Sequence, residues 1–344
     1  MVILILNFHI CLSLPSDKVT NASSELENGT TVSEFILLGF PMNRSHQILV
    51  FMGLLIIYII ILAGNTVIIS ISLLDRRLHT PMYFFLGNLA LLDICFTTAI
   101  VPKILINLVT EGQSISYVGC LAQSYFYFLL GTTEFLILAV MSFDRYVAIC
   151  HPLRYSTIMS NLICCLLVLG SWAGGFLDTI VQTALTFQLS FCGPNVINHY
   201  FCDVEPLLKL ACSDTSLIVF LDFVLASTLV LGSLLLSIVS YTCIVVAIVK
   251  MPSAKGRWKA FSTCASHMTV VFIVYGSCIF MCARPTQSAS LDSSKIVSVA
   301  NSILTPLLNP FIYSLRNKVM KDALWKALSR GQSPWKKETP GLSQ

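Results

Sequence analysis

The chain has 344 residues, 56% of them hydrophobic and only 11% charged, with a formal net charge of +4. Ordinary soluble domains carry ~25% charged residues, so a soluble fold is excluded. What remains is a long apolar chain whose few charges are unevenly placed.

Residues 1–14, MVILILNFHICLSL, form an apolar run too short to cross a membrane. It reads as a signal peptide that lacks the usual positively charged start, so cleavage and retention are both compatible with it. From Lys18 to Gly39 the sequence is polar and predicts an exposed extracellular tail, the main part of an N-terminal region spanning residues 1–46. Three Asn-X-Ser/Thr sequons fall there, at Asn21, Asn28 and Asn43, and are the expected glycosylation sites.

A membrane helix needs ~20 predominantly apolar residues. Seven such segments follow, at 48–74, 82–102, 120–143, 162–185, 223–249, 260–283 and 296–315, and the only charges inside them are Asp93, Glu134 and Asp178. Barrel strands would be about half as long and polar at every second residue, so the segments are helices. The expected fold is an all-α membrane protein, a seven-transmembrane helix bundle over residues 47–316. When the segments alternate between the two faces, 15 of the 21 Lys and Arg fall on one side. Basic residues gather in short cytoplasmic loops, which places the N-terminus outside, in agreement with the sequons. The positive charge thus lies on loops facing anionic lipid and gives no reason to expect nucleic acid.

In the first segment, Gly64-Asn65 sets a residue small enough for close helix approach beside an amide that needs a partner in lipid. Residues 78–86, LHTPMYFFL, form a tight turn in which Pro81 can open the next helix. The third segment starts at Cys120, and Arg145 lies ~37 Å further along a helix, at the opposite membrane face. At 100° per residue, Tyr127, Gly131, Glu134, Leu138 and Arg145 fall within about 40° of one line. Glu134 and Arg145 cannot face lipid, so this line points inward and the helix is central. Residues 141–150, MSFDRYVAIC, hold Asp144 and Arg145, a charge pair expected where the helix re-enters water.

The second cytoplasmic loop contains HPLRY, residues 151–155. The external loop between the fourth and fifth segments holds Cys192, Cys202 and Cys212, with Asp203, Glu205 and Asp214 between and after them. With Cys120 these are the cysteines at the oxidising face of the folded region, and four cysteines allow three connectivities. The pairing favoured is Cys120 with Cys202 and Cys192 with Cys212, which ties the middle of the loop to the third helix and leaves its flanks to pair across it. A basic third loop leads into KAFSTCASH, residues 259–267. The last segment ends in PLLNPFIYSLRN, residues 306–317, where Pro310 removes a backbone hydrogen bond beside Asn309 and builds in a hinge. Lys318 to Leu328 mixes basic and apolar residues as a short amphipathic helix on the inner leaflet would, within a cytoplasmic tail over 317–344.

Taken together, these motifs resemble those of olfactory receptors in the rhodopsin-like G-protein-coupled receptor family, over about residues 34–330. The resemblance implies a small volatile ligand bound outside, a stimulatory G protein engaged inside and a rise in cyclic AMP. It also implies that Asp144, Arg145, Tyr146, Asn309, Pro310 and Tyr313 form the activation switch, with Asp144 holding Arg145 at rest. Ser142-Phe143, Val274 and Asn301 depart from common family residues, and bear on which ligand is bound.

The ligand site carried over comprises Tyr127, Phe128, Gly131, Thr132, Leu225, Tyr275, Cys278, Ile279 and Ser302. The helix-6 members recur with Cys282 on one helical face, which core packing alone would also produce. The outer third helix offers Tyr127 rather than an acid as counter-ion for an amine, and Lys295 lies at the outer end of the seventh helix, not in its middle. A mostly apolar ligand with one or two hydrogen bonds follows. Asp93 and Glu134 match a family sodium site, and two carboxylates at one depth suit a hard cation, although a shared proton would serve equally. No other cofactor is expected. Cys278 and Cys282 could take Cu(I), and His267 could sense protons, but buried thiols and a hydrogen-bonded helix histidine account for them too. An intramembrane enzyme lacks a supporting motif here, and a transporter would call for inverted repeats that are not visible.

Overall fold

The computed structural model describes residues 32–39, 42–110, 113–192, 194–282, 291–316 and 320–323. The apolar run 1–14, the sequons at Asn21 and Asn28, most of the amphipathic stretch after residue 317, and the side chains of Cys282 and Asn301 lie outside the described residues.

Seven helices of 26 to 35 residues make up the bundle: α1 Arg44–Leu74, α2 Pro81–Val109, α3 Tyr117–Cys150, α4 Asn161–Phe187, α5 Ser216–Lys250, α6 Ala254–Cys282 and α7 Leu291–Arg316. Their starts follow local chemistry. Asn43 caps α1 by accepting from the His46 amide at 3.1 Å, Pro81 opens α2, and Ser116 caps α3 by accepting from the Gly119 amide at 3.1 Å. α3 packs against α2, α4, α5 and α6, which makes it the central helix. Close approaches depend on glycine at two crossings. A Cβ on Gly64 would lie 3.0 Å from the Pro310 ring of α7, and one on Gly175 would lie 3.0 Å from the Leu129 carbonyl of α3.

The helices overrun the apolar segments. α3 continues seven residues past Phe143, because Asp144 and Arg145 pair and bury instead of breaking the helix at a water boundary. α5 begins at Ser216, ahead of Phe223, because Asp222 turns its carboxylate to the Gln182 amide of α4 at 2.6 Å.

Part of the expected exposed tail is instead structural. Glu34–Leu37 forms β1, the central strand of a small sheet. It pairs antiparallel with β2, Ser114–Ser116, and parallel with β3, Val196–Ile197. Phe35 and Leu37 are fully covered by Leu121, Ile197, Leu207 and the Cys120–Cys202 bridge. The two-residue period of Phe35 and Leu37 is strand-like, but four residues are too few to stand out from a polar tail.

Candidate functional site

The outer end of the bundle is closed by the loop between α4 and α5. Disulfides join Cys120 to Cys202 and Cys192 to Cys212. The first fixes the loop to the opening turn of α3, two turns above Tyr127, so the residues just before Cys202 must lie over the inward line of α3. They do: the Phe201 ring centre is 4.5 Å from that of Tyr127, which also contacts Phe96 at 5.1 Å and Phe128 at 5.1 Å. Gln123 locks the arrangement, donating to the Ala99 carbonyl of α2 at 3.0 Å and accepting from the Cys202 amide at 3.1 Å.

Charged and polar groups line this roof. Lys295, only 2% exposed, donates to the Gly39 carbonyl at 2.9 Å and to Asn198 Oδ1 at 2.7 Å, joining α7, the tail strand and the loop. Burial, then the neighbouring Lys295 charge, lowers His199 to about 4. Burial, then Glu205, pushes Asp203 up to about 7. Burial holds the Tyr200 phenol well above its ordinary value. The Tyr127 and Tyr200 phenols lie within electrostatic range of Ser298 and Ser302 of α7.

The residues expected to bind ligand are therefore only partly gathered. Tyr127, Phe128 and Ser302 lie together under the roof, with Gly131 facing Phe96 one turn deeper and Cys278 within electrostatic range of Tyr127. Thr132 turns to α4 and donates to Asp178 at 3.1 Å. Tyr275 is buried deeper, 5.2 Å from the Phe135 ring and directed toward Ser233 and Ser237 of α5. Leu225 is half-buried, and Ile279 is exposed. Sequence reasoning missed His199, Tyr200 and Phe201. The signal was present, since an aromatic run abutting a cysteine bonded to α3 has to sit over Tyr127.

Halfway down, Asn309 donates to Asp93 at 2.9 Å, and Glu134 lies within electrostatic range of Asp93. Glu134 Oε1 and Asn309 Oδ1 are buried acceptors with no hydrogen-bond donor among the described residues. These three residues offer oxygens suited to a hard cation.

At the inner end Arg145 Nε donates to Asp144 Oδ2 at 2.9 Å, and Nη2 pairs with the same oxygen. The second Asp144 oxygen accepts from the Tyr155 hydroxyl at 2.7 Å, so the short helix Tyr155–Ile158 of the second cytoplasmic loop holds the pair from below. Tyr146 turns outward to His151 at 3.0 Å. Tyr241 of α5 hydrogen-bonds His267 of α6. Tyr313 is buried within electrostatic range of Arg145, Tyr241 and Asp93, and its hydroxyl has no hydrogen-bond partner among the described residues.

A seven-helix membrane bundle with a loop tied over its outer end and a buried arginine–carboxylate pair at its inner end has the architecture of a heptahelical receptor. The family profile described as "Olfactory receptor" matches residues 54–331. The chain is 53% identical over 308 residues to mouse Olfactory receptor 6E1, covering 89% of this chain and 98% of that one. It is 51% identical over 302 residues to human Olfactory receptor 6T1, with 88% and 94% covered, and 50% identical over 304 residues to human Olfactory receptor 6X1, with 88% and 97% covered. The chain belongs to the olfactory receptor family, and is a multi-pass protein of the plasma membrane.

Proposed function

We propose that the chain is an odorant receptor that binds a small, mostly apolar volatile ligand in the outer half of the bundle and activates a stimulatory, olfactory-type G protein, raising cyclic AMP. The observation that carries this reading is the inward line of α3. Its head, Tyr127, lies under the disulfide-tied roof, and its foot, Arg145, is held by Asp144 at the cytoplasmic face. A ligand that separates the roof from Tyr127 acts on the same rigid helix whose inner end carries the switch. Asn309, Pro310 and Tyr313 supply the hinge, and Tyr146 faces the cytoplasmic loop.

The receptor unit is residues 47–316, preceded by a tail glycosylated at Asn21, Asn28 and Asn43 and followed by an amphipathic cytoplasmic segment. Odorant-evoked cyclic AMP in transfected cells tests the reading. Arg145→Ala should abolish both basal and evoked signal at unchanged surface expression, and a persisting signal would reject the switch.

A second reading concerns an ion. Glu134 Oε1, Asn309 Oδ1 and Asp93 together fit sodium, which would stabilise the resting bundle. Basal signalling should then fall as sodium is raised, and Glu134→Gln should remove that dependence. Retention of the dependence in that variant sinks the ion.

A further inference from the structure

A crevice of about 220 Å³ lies between the outer turns of α3, the outer turns of α4 and the short loop helix Val204–Leu208 that follows Cys202. Its interior has room for one water-sized group. Leu121, Phe128 and Val204 form the apolar wall, and the Phe128 ring meets Tyr127 edge-on at 5.1 Å, so the crevice adjoins the head of the inward line of α3. The polar groups are the Gln182 amide and the hydroxyls of Ser124, Thr183 and Thr186.

Two of these groups already have fixed roles. Gln182, only 7% exposed, donates an N–H to Asp222 Oδ1 of α5 at 2.6 Å. A carboxylate only accepts, so this bond decides which way round the amide lies. The Gln182 Oε1 on its other side accepts from none of the described residues. Thr186 gives its one proton to the Gln182 carbonyl at 2.9 Å, which leaves its oxygen an acceptor toward any other group. One turn deeper on the same face of α4, Asp178 Oδ2 accepts from Thr132 at 3.1 Å, while Asp178 Oδ1 is a buried acceptor with no donor among the described residues. Three side-chain oxygens of α4 thus lack a donor, whereas Ser124, Thr183 and the second Gln182 N–H can serve an acceptor.

We propose that this crevice seats the polar head of the ligand, that the ligands are volatile alcohols, and that Gln182 determines this specificity with Asp222 as its positioning residue. This rests on the odorant-receptor reading above and names its ligand class. The alcohol donates its proton to Gln182 Oε1 and accepts from Ser124 or Thr183, while its hydrocarbon portion lies against Leu121, Phe128 and Val204. A ketone or methyl ether of the same shape makes the accepting contact only, and covers the α4 oxygens without giving them a donor. An alkane makes no polar contact at all. Selection comes from the locked amide and not from the serine and threonine hydroxyls, which serve donors and acceptors alike.

The test uses the full-length receptor in cells, with surface expression and cyclic AMP both measured. The probes are volatile secondary alcohols with the matching ketones, methyl ethers and alkanes. In the wild type, alcohols should act at concentrations about tenfold below those of the ketones, the difference one hydrogen bond makes. Gln182→Met keeps the length of the side chain and removes its amide, and should bring the alcohols to the level of the ketones. Asp222→Asn lets the Gln182 amide turn over, and should narrow the same ratio by making ketones more potent. A loss of folding alone would weaken all probes together and leave the ratio unmoved. Thr186→Val removes another of the acceptors and gives the ratio if Gln182→Met does not reach the surface. Ketones, ethers or alkanes as potent as alcohols in the wild type, or an unchanged ratio in the surface-expressed variants, would overturn the proposal. So would a surface-expressed receptor that answers no member of the panel. In that case, basal cyclic AMP that Arg145→Ala abolishes leaves the G-protein reading standing while the ligand class fails.

Discussion

The side-chain amide of Asn65 in α1 lies 3.2 Å from the carbonyl of Pro306 in α7 and donates to it. In an unbroken helix that carbonyl would accept from the amide of residue 310, and Pro310 has none. Asn65 thus supplies, from another helix, the hydrogen bond that Pro310 cannot give, and anchors itself through a second bond to the Ile61 carbonyl at 3.1 Å.

Replacing Asn65 by Ala should leave the Pro306 carbonyl buried without this donor, at a cost of about 1–3 kcal/mol. The expected outcome is a lower thermal midpoint for the detergent-purified receptor. Gly64→Ala should act in the same direction by pressing a methyl group against Pro310. An unchanged midpoint for both variants would show that α7 does not depend on α1.

At the inner end, Asp144 is held by Arg145 on one oxygen and by Tyr155 on the other. Asp144→Asn removes the charge that restrains Arg145 and should raise basal cyclic AMP. Tyr155→Phe should raise it less, since one neutral-donor bond contributes less than the ion pair. Basal signals equal to wild type at matched surface levels would remove Asp144 as the restraint.

The helices were legible because lipid imposes a length and an apolar composition that no turn or tail imitates. The inward line of α3 was legible because Glu134 and Arg145 have few tolerable orientations in a membrane. What could not be read is instructive. Phe35 and Leu37 become core only when β2 and β3 arrive from distant loops, a pairing that no local pattern announces. Thr132 shares the third helix's sequence neighbourhood with Tyr127, yet its partner is decided by Asp178 on another helix. Charge alone also misplaced the end of α3, since a paired Asp144 and Arg145 bury where a lone charge would seek water.

The two disulfides should differ in importance. Cys120 and Cys202 are separated by 82 residues and Cys192 and Cys212 by 20, and a longer closed loop removes more disorder from the unfolded chain. In the chain-entropy account the losses are roughly 4–5 and roughly 3 kcal/mol. Paired Ser variants should reduce surface expression in that order. The Cys120/Cys202 pair should also abolish ligand responses, since Phe201 is then no longer held over Tyr127. Normal odorant responses after its removal would contradict the roof's role.

Acidity should tighten the roof. Asp203 has its pKa raised in the folded state to about 7, against an ordinary value of ~4. The folded state therefore holds more protons than the unfolded one between those values, and stability falls as pH rises through that window. His199, lowered to about 4, has the opposite slope below its ordinary ~6.5. Through these two groups the thermal midpoint should rise as pH drops from about 8 to about 6.5 and then flatten. Asp203→Asn should remove the rise and leave a decline on acidification. A wild-type midpoint that climbs with pH over this range would contradict the assignment.

The central position of β1 has a consequence for how the molecule is made. Asn195 binds the Glu34 carbonyl across 161 residues of chain. At ~5–20 residues per second, the tail enters the lumen roughly ten to thirty seconds before its last strand partner is synthesised. Through that interval Phe35 and Leu37 wait uncovered while four helices are placed in the membrane. The roof is therefore completed late in biogenesis by the oldest part of the described chain, and the newborn receptor depends on that strand being kept from other partners until β3 emerges.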